Sequence, residues 1–240
     1  MFSKIAITLA GVVSISLSLA ACDEIRQATH EADALARGQE TLAACIATQC
    51  DVLNIDGMRL EDYSVINDLS HVTVLMASRT NFADLNDISG MQHLKELHIT
   101  RSDITDLTGL GNFPQLRVLH AEYMSSELDF SSIEQLAGLT ELALGNLGED
   151  DDVSFIRNMK KLTNLKITWT GVEADIEVLR GHPALQLIEI SGDLPADQSA
   201  LLRMPNLKSI TFFDHGTIDA DINSELDRRG VLSYAVMVVC

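Results

Sequence analysis

Apolar and polar residues along this chain follow one pattern that recurs every 22 or 23 residues. In each copy the first, fourth and sixth positions are apolar and the fifth is mostly polar, which is the alternation of a short β-strand with one buried face. The eight copies begin at Cys50, Val72, Leu94, Leu116, Leu139, Leu162, Leu185 and Leu207. A fixed period of this length predicts a stacked solenoid, in which each repeat buries its apolar edge against its neighbours.

A second apolar series follows each predicted strand, at nine, six and three residues before the next copy. Leu85, Ile88 and Met91 are one such set. Spacing by three predicts a 3₁₀ or short α turn, which would lie on the convex side of the coil. The series weakens in the sixth and seventh copies. His182 interrupts the sixth and precedes a proline, so we expect this imidazole to be half exposed.

Different segments are predicted to cap the two ends of the solenoid, because an end repeat would otherwise expose its core. Helix-forming residues dominate 28–48 and predict a helix over the first repeat. Asp219 to Arg229 predicts a short helix, and Val231 to Val239 an apolar final strand with an edge open to pairing with another chain. The expected organisation is a signal peptide (1–21), a lipidated cysteine with a short linker and helical cap (22–49), eight repeats (50–218) and a C-terminal cap (219–240).

The N-terminus has the features of an export signal. Lys4 precedes an apolar run from Ile5 to Ser18, which is short for a membrane span. Leu19-Ala20-Ala21-Cys22 resembles the lipobox of bacterial lipoproteins, whose cysteine is acylated and becomes the first mature residue. The resemblance implies a lipid anchor at Cys22 in the bacterial cell envelope, facing the periplasm or the exterior. Asp23 resembles the inner-membrane retention signal of enteric bacteria. The alternative is an ordinary secretory signal with a chance cysteine.

Composition narrows the class of partner. The formal net charge is −18 and the sequence pI is about 4.6, so phosphate backbones should be repelled and nucleic acid is not expected as a partner. A basic protein, a cation or a neutral glycan remains open, as does a charged surface that only keeps the protein soluble. Exported proteins can form disulfides. Cys45 and Cys50 are therefore either bridged or two small buried residues, and Cys240 lies too far along the solenoid to pair with them.

Leu94-Lys-Glu-Leu-His-Ile-Thr-Arg-Ser-Asp-Ile-Thr-Asp-Leu-Thr-Gly-Leu-Gly-Asn-Phe-Pro-Gln115 resembles the bacterial 22-residue leucine-rich repeat of the internalin type. The resemblance covers residues 50–213. It implies an α/β solenoid, curved as a horseshoe with a parallel sheet on its concave face, whose usual role is recognition of proteins, sometimes glycosylated ones. That family places asparagine at position nine, where it ties neighbouring turns together. Here this position holds Met58, Thr80, Ser102, Met124, Leu147, Thr170, Asp193 and His215, so we expect less rigid turns.

Side chains at positions three, five, seven and eight should point outward from the concave sheet. They form a mixed polar and apolar surface, which is typical of recognition faces. The predicted partner-binding residues are Glu96, His98, Arg101, His120, Glu122, Tyr123, Lys166 and Trp169. Arg101, Tyr123 and Trp169 are the expected anchors, because Arg, Tyr and Trp dominate binding energies. The alternative for Trp169 is packing over the next turn.

Two other classes of function are kept as alternatives. His98 and His120 occupy the same column on adjacent repeats, and with nearby carboxylates they could hold a metal in a sensor or scavenger. The apolar final strand could instead make the protein a self-associating envelope scaffold. The acidic run 149–152 lacks the spacing and glycine of a calcium loop, so it predicts a solvated insertion. The chain has no nucleophile elbow, phosphate loop or His–Cys motif. We therefore expect a non-enzymatic recognition protein without a cofactor.

Overall fold

The computed structural model describes residues 19–125, 128–213 and 218–236. These residues form one nine-stranded sheet in which the strands lie in chain order and each neighbouring pair is parallel. The strands are β1 (Val52–Asn54), β2 (Val74–Met76), β3 (Glu96–His98), β4 (Val118–Ala121), β5 (Glu141–Leu147), β6 (Asn164–Glu173), β7 (Leu187–Asp193), β8 (Ser209–Phe213) and β9 (Leu232–Val236). We call each of β1 to β8, with the turn that follows it, a rung. The predicted solenoid with a parallel sheet is confirmed.

The leucines of the repeat set the register of the sheet. Leu53 pairs with Leu75, and Leu75 pairs with Leu97, so the fourth positions of successive rungs are stacked. Each of these three side chains is at most 1% exposed. Because every rung presents the same inward positions, one continuous apolar core runs from Cys45 to Val231.

Seven short 3₁₀ turns lie opposite the sheet in the described residues, as the spacing by three predicts. They span Tyr63–Ile66, Leu85–Ile88, Thr108–Asn112, Phe130–Gln135, Ser154–Asn158, Ile176–Leu179 and Ser199–Arg203. Their apolar residues face the core: Ile66, Ile88 and Ile133 are fully buried.

An aspartate stands at the start of every one of these turns and of the C-terminal helix. Its side chain accepts a hydrogen bond from the backbone N–H two residues later, as Asp62 does from Ser64 at 2.8 Å. The column consists of Asp62, Asp84, Asp106, Asp129, Asp152, Asp175, Asp197 and Asp219. The sequence signal for this column is an Asp directly before the three-residue series of each copy, and hydropathy alone does not reveal it.

Hydrogen bonds between neighbouring turns come from scattered side chains, since position nine lacks the asparagine column. Asn81 holds the backbone of Leu60: its Nδ2 donates to Leu60 O at 2.8 Å and its Oδ1 accepts from Leu60 N at 3.3 Å. Asn67 Oδ1 accepts from Gly90 N at 2.6 Å. The expectation that His182 is half exposed is wrong. It is 3% exposed, and its Nε2 lies 3.1 Å from Met159 O in the preceding rung.

The N-terminal cap is helix α1 (Leu19–Thr48). It begins earlier than the expected 28–48 helix and replaces the expected linker after Cys22. The helix lies directly against the first rung at Gly38, where any Cβ would overlap the carbonyl oxygen of Arg59. Cys45 and Cys50 form a disulfide with their Cα atoms 4.9 Å apart, joining the end of α1 to the first rung. The sequence left open whether these two cysteines are bridged, and in the structure they are.

The C-terminal cap consists of α2 (Ala220–Arg228) and β9, which pairs in parallel with β8. Both elements fall where the sequence predicts a helix and a strand. Residues 1–18 of the expected signal peptide, and Cys240, lie outside the described residues. No helix in the described part of the chain has the length and apolarity that crossing a membrane requires.

Candidate functional site on the outward face of the sheet

Rungs three to six carry a chain of polar contacts across the outward face. His98 and His120 are paired in the register of β3 and β4, and their Nδ1 atoms lie 3.1 Å apart. His120 Nε2 lies 2.8 Å from Glu141 Oε1, and the other oxygen of Glu141 accepts from Asn164 Nδ2 at 3.4 Å. Glu96 Oε2 is 3.7 Å from His98 Nε2. Three members of this cluster, Glu96, His98 and His120, are among the predicted binding residues. Glu141 and Asn164 also belong to the cluster but are not among them.

The contacts assign the tautomers of the two histidines. An ionised Glu141 can only accept, so His120 Nε2 carries a proton and donates to it. In the neutral ring His120 Nδ1 is then the acceptor and His98 Nδ1 is the donor. His98 Nε2 therefore carries no proton in this arrangement and does not donate to Glu96 Oε2, which lies 3.7 Å away. Burial, followed by the charge of His120, lowers the pKa of His98 below its ordinary value, which favours this neutral pair.

The metal alternative at His98 and His120 gains no support from this geometry. The Nδ1 atoms of the two rings are engaged with each other at 3.1 Å, and His120 Nε2 is engaged with Glu141. Among the described residues no group of three or more His, Cys, Asp or Glu side chains is arranged to hold a metal ion. A zinc site with fewer than three protein ligands is unusual.

Small residues on β5 make a hollow in the middle of the face. Ala143 stands in the position-five column between His120 and Lys166, and its short side chain leaves a hollow of about 330 Å³. Polar side chains of β5 and of the neighbouring strands, including Glu141 of β5 and Glu189 of β7, line it. A second hollow of about 160 Å³ adjoins it and has the aromatic walls Tyr123 and Phe213.

An ion pair spans this part of the sheet. Glu122 and Lys166 lie on either side of β5 and approach to 2.8 Å, where Gly145 leaves room between them. Burial of the ammonium lowers the pKa of Lys166, but the hydrogen bond and charge of Glu122 outweigh it and raise the pKa. Glu122 is only 8% exposed and its carboxylate contacts Lys166, but it still lines the larger hollow, so its role in partner binding stays a prediction. Lys166 is left as the reachable member of the pair.

Arg101 and Tyr123 occupy position eight, directly after their strands, and point outward as predicted. The Arg101 guanidinium carbon lies 4.6 Å from the centre of the Tyr123 ring, a cation–π contact. Tyr123 is 48% exposed. Both residues have positive φ, 55° and 52°, which turns the chain at position eight and ends the inward–outward alternation of the strand.

Trp169 does not point outward, and the expectation that it anchors a partner is wrong. It is 5% exposed and packs in the core, which is the alternative that the sequence left open. The sixth rung lacks the left-handed turn at position eight, and β6 stays extended to Glu173. Alternation therefore continues: Lys166 and Thr168 face outward and Trp169 faces inward.

No family model matches the chain, and no curated protein sequence matches it. Among solved structures, a leucine-rich repeat protein of Leptospira interrogans superimposes with a TM-score of 0.56 at 18% identity, over 77% of this chain and 49% of that one. This chain has the leucine-rich repeat fold.

Two Listeria monocytogenes internalins also match this leucine-rich repeat chain. Internalin C2 is 22% identical over 76% of this chain and 69% of its own, with a TM-score of 0.48. A second internalin, inlF, is 18% identical over 78% of this chain and 62% of its own, with a TM-score of 0.49. The chain thus spans between about half and 69% of the length of these structures.

Proposed function

We propose that this leucine-rich repeat protein is a non-catalytic recognition module that binds a protein partner on the outward face of its sheet, between rungs three and eight. The hollow over Ala143, which adjoins the aromatic hollow beside Tyr123, is the observation that carries the proposal. A concave surface with apolar walls and a few fixed polar groups suits recognition of a folded ligand. The usual role of the family that the repeats resemble points the same way.

The face is preorganised for binding. The contacts between His98, His120 and Glu141, and the ion pair of Lys166 with Glu122, already hold these side chains in place. Side chains fixed before association lose little conformational entropy when a partner arrives. Tyr123 offers a large exposed ring that is held by Arg101, which is the kind of residue that supplies most binding energy at protein interfaces.

We further propose that the module works in the bacterial cell envelope, attached through a lipid on Cys22 and retained at the inner membrane through Asp23. The motif Leu19-Ala20-Ala21-Cys22 supports the anchor. The Cys45–Cys50 disulfide supports a compartment outside the cytoplasm, where such bonds persist. Metabolic labelling with a fatty-acid analogue, compared between the natural chain and Cys22→Ser, tests the anchor. Equal labelling of the two chains would contradict it.

Site-specific photo-crosslinking in the producing cell tests the recognition face. A crosslinking residue at Glu189, in the larger hollow, should capture a partner, and the same residue at Val65, 48% exposed in the first 3₁₀ turn, serves as the matched control. Ala143→Leu fills the hollow with an apolar side chain and should abolish capture at Glu189 while the circular dichroism spectrum is unchanged. Capture that survives this change, or equal capture at Val65, would refute the proposal. An adduct removed by glycosidase would identify a glycan ligand instead.

Self-association through β9 is a second candidate, carried by a separate observation. Leu232, Tyr234 and Val236 are 57%, 51% and 42% exposed on the terminal strand of the sheet. Exposed apolar strands at a sheet edge tend to pair with another chain. Sedimentation velocity should then show a dimer that Tyr234→Lys converts to monomer. A monomer at all concentrations for both chains would exclude this role.

A further inference from the structure

Position eight of the repeat, directly after the strand, adopts the left-handed backbone conformation in most rungs. The residues with positive φ there are Gly57, Arg79, Arg101, Tyr123, Asn146 and Gly192. Glycine and asparagine accept this conformation readily, whereas a bulky side chain makes it unfavourable. Three consecutive rungs nevertheless carry Arg79, Arg101 and Tyr123 at this position. Residues held against their backbone preference tend to mark functional sites.

Few contacts within the protein compensate these three residues for their unfavourable backbone conformation. All three are exposed. In the described part of the chain, neither guanidinium donates a side-chain hydrogen bond or lies within 4.0 Å of a carboxylate, and Arg101 stacks on the Tyr123 ring. Stacking occupies the flat face of a guanidinium and leaves its N–H edge free to bind an anion.

The charges of Arg79 and Arg101 are adjacent. Their strands β2 and β3 are paired in register, so the two residues lie on neighbouring rungs at a strand spacing of about 4.8 Å. Like charges on neighbouring rungs repel each other, and an anion bound between them would relieve that repulsion. This basic pair is notable in a chain of net charge −18, where a carboxylate partner for either side chain would have been easy to supply.

We propose that Arg79, Arg101 and Tyr123 form a subsite that binds the carboxylates of an acidic segment in a partner protein. A guanidinium edge matches a carboxylate in bidentate geometry, and two in series suit two neighbouring acidic side chains. The net charge of −18 repels extended polyanions such as nucleic acid and anionic membranes, so a short segment on a protein is the favoured source. Tyr123 also lines the smaller hollow, so the subsite adjoins the proposed recognition face, on whose function this inference rests.

The test is titration of the ¹⁵N-labelled full chain with acetyl-tetraglutamate amide, observed at the arginine Nε–H signals. The signals of Arg79 and Arg101 should shift in a saturable way, and acetyl-tetraglutamine amide should leave them unchanged. In R79N/R101N the dissociation constant for tetraglutamate should rise at least about tenfold, the size expected for loss of charge-assisted pairs. Asparagine tolerates the left-handed turn, so this variant should unfold at a temperature no lower than the natural chain.

A matched control removes two positive charges elsewhere. Arg157 and Lys161 are exposed and lie outside the outward columns. R157N/K161N should bind tetraglutamate as the natural chain does. Equal weakening in both double variants would mean general charge attraction and would overturn the subsite. So would the absence of a saturable shift, or binding of inorganic phosphate or an oligouronate but not of tetraglutamate.

Failure of this inference is distinct from failure of the proposed function. If capture at Glu189 persists and tetraglutamate does not bind, the recognition face stands and the arginine subsite is wrong. If tetraglutamate binds at Arg79 and Arg101 and nothing is captured at Glu189, the subsite is supported and protein recognition by the hollow is refuted.

Discussion

Replacing Trp169 with alanine should cost about 4 kcal/mol of folding free energy. The side chain is 5% exposed and belongs to the core of the sixth rung. A buried tryptophan removes roughly 150–250 Å² from water, which at ~25 cal/mol/Å² corresponds to about 4–6 kcal/mol. Alanine keeps part of this area, and large-to-small changes of aromatic core residues fall in the range of ~3–5 kcal/mol.

The loss should be concentrated around one part of the solenoid. Trp169 pairs with Leu147 of β5, and Gly192 of β7 approaches it so closely that an added Cβ would lie 3.1 Å from Trp169 Cβ. Repeats contact only their neighbours, so rungs five to seven should lose stability while the first rungs keep theirs. Amide hydrogen exchange resolved by peptide should show faster exchange in β5 to β7 and little change in β1 to β3.

The measurement is urea unfolding followed by far-UV circular dichroism, because the variant has lost the single tryptophan of the chain. Two controls bracket it. Trp169→Phe keeps a ring in the core and should lose less than half as much stability. Tyr123→Ala removes an aromatic ring that is 48% exposed and its cation–π contact with Arg101, which at an exposed site should cost about 0.5–1 kcal/mol. If Trp169→Ala were as stable as Tyr123→Ala, the conclusion that Trp169 is a packing residue would be refuted.

Three further results are expected. Burial lowers the pKa of His98 and of His182 below the ordinary 6.5. Just below that pH the unfolded chain therefore binds protons that the folded chain does not. The free energy of unfolding should have its full value above pH 6.5 and should fall as the pH drops below 6.5. Urea midpoints at pH 7.5 and 5.5 measure this, and a drop that His98→Gln leaves undiminished would contradict the assignment to His98. The double change Cys45→Ser and Cys50→Ser removes a disulfide that closes a short loop and should lower the free energy of unfolding by about 2 kcal/mol. The natural protein unfolded in the presence of reductant should have the same stability as this variant. Equal stability with and without the disulfide would contradict the prediction. Asn81→Ala leaves two backbone groups of Leu60 and the hydroxyl of Tyr63 without this partner and should cost roughly 1–3 kcal/mol. Asn81→Asp should also lose stability, because a carboxylate oxygen would then face the carbonyl oxygen of Leu60. No loss in either variant would show that water replaces the amide.

The periodic pattern predicted the fold because each rung repeats the same inward positions. Leucine at the fourth position specifies both the strand and its register, and Leu53, Leu75 and Leu97 stack as that pattern requires. The outward cluster followed from the same register, since His98 and His120 occupy equal positions on neighbouring strands. Contacts that depend on rotamers, such as the pairing of His120 with Glu141, cannot be read from spacing alone.

The predictions for Trp169 and His182 are wrong because the sixth copy differs from the other copies at both positions. At position eight the direction of the side chain depends on whether the backbone turns left-handed. Tyr123 does and is exposed, whereas Trp169 remains in an extended strand and is buried. The proline after His182 predicts exposure, yet the inward spacing of the series places the ring in the core, where Met159 O provides a hydrogen-bond partner. Backbone conformation and hydrogen-bonding partners decided both cases, and neither is encoded in hydropathy.

The column of aspartates changes what the acidity of this protein means. Eight of its 35 acidic residues begin the seven 3₁₀ turns and helix α2, and each accepts a hydrogen bond from the backbone two residues later. Those hydrogen bonds, from the side chain and backbone of Ser64, lower the pKa of Asp62, and the backbone and side chain of Ser131 do the same for Asp129, so these carboxylates remain ionised as structural parts of the turns. The net charge is thus partly a by-product of how the solenoid closes its turns, and it does not by itself require a basic partner. Chemistry on the outward face has to be read locally, which is why two arginines in left-handed turns can indicate an acidic ligand on an acidic protein.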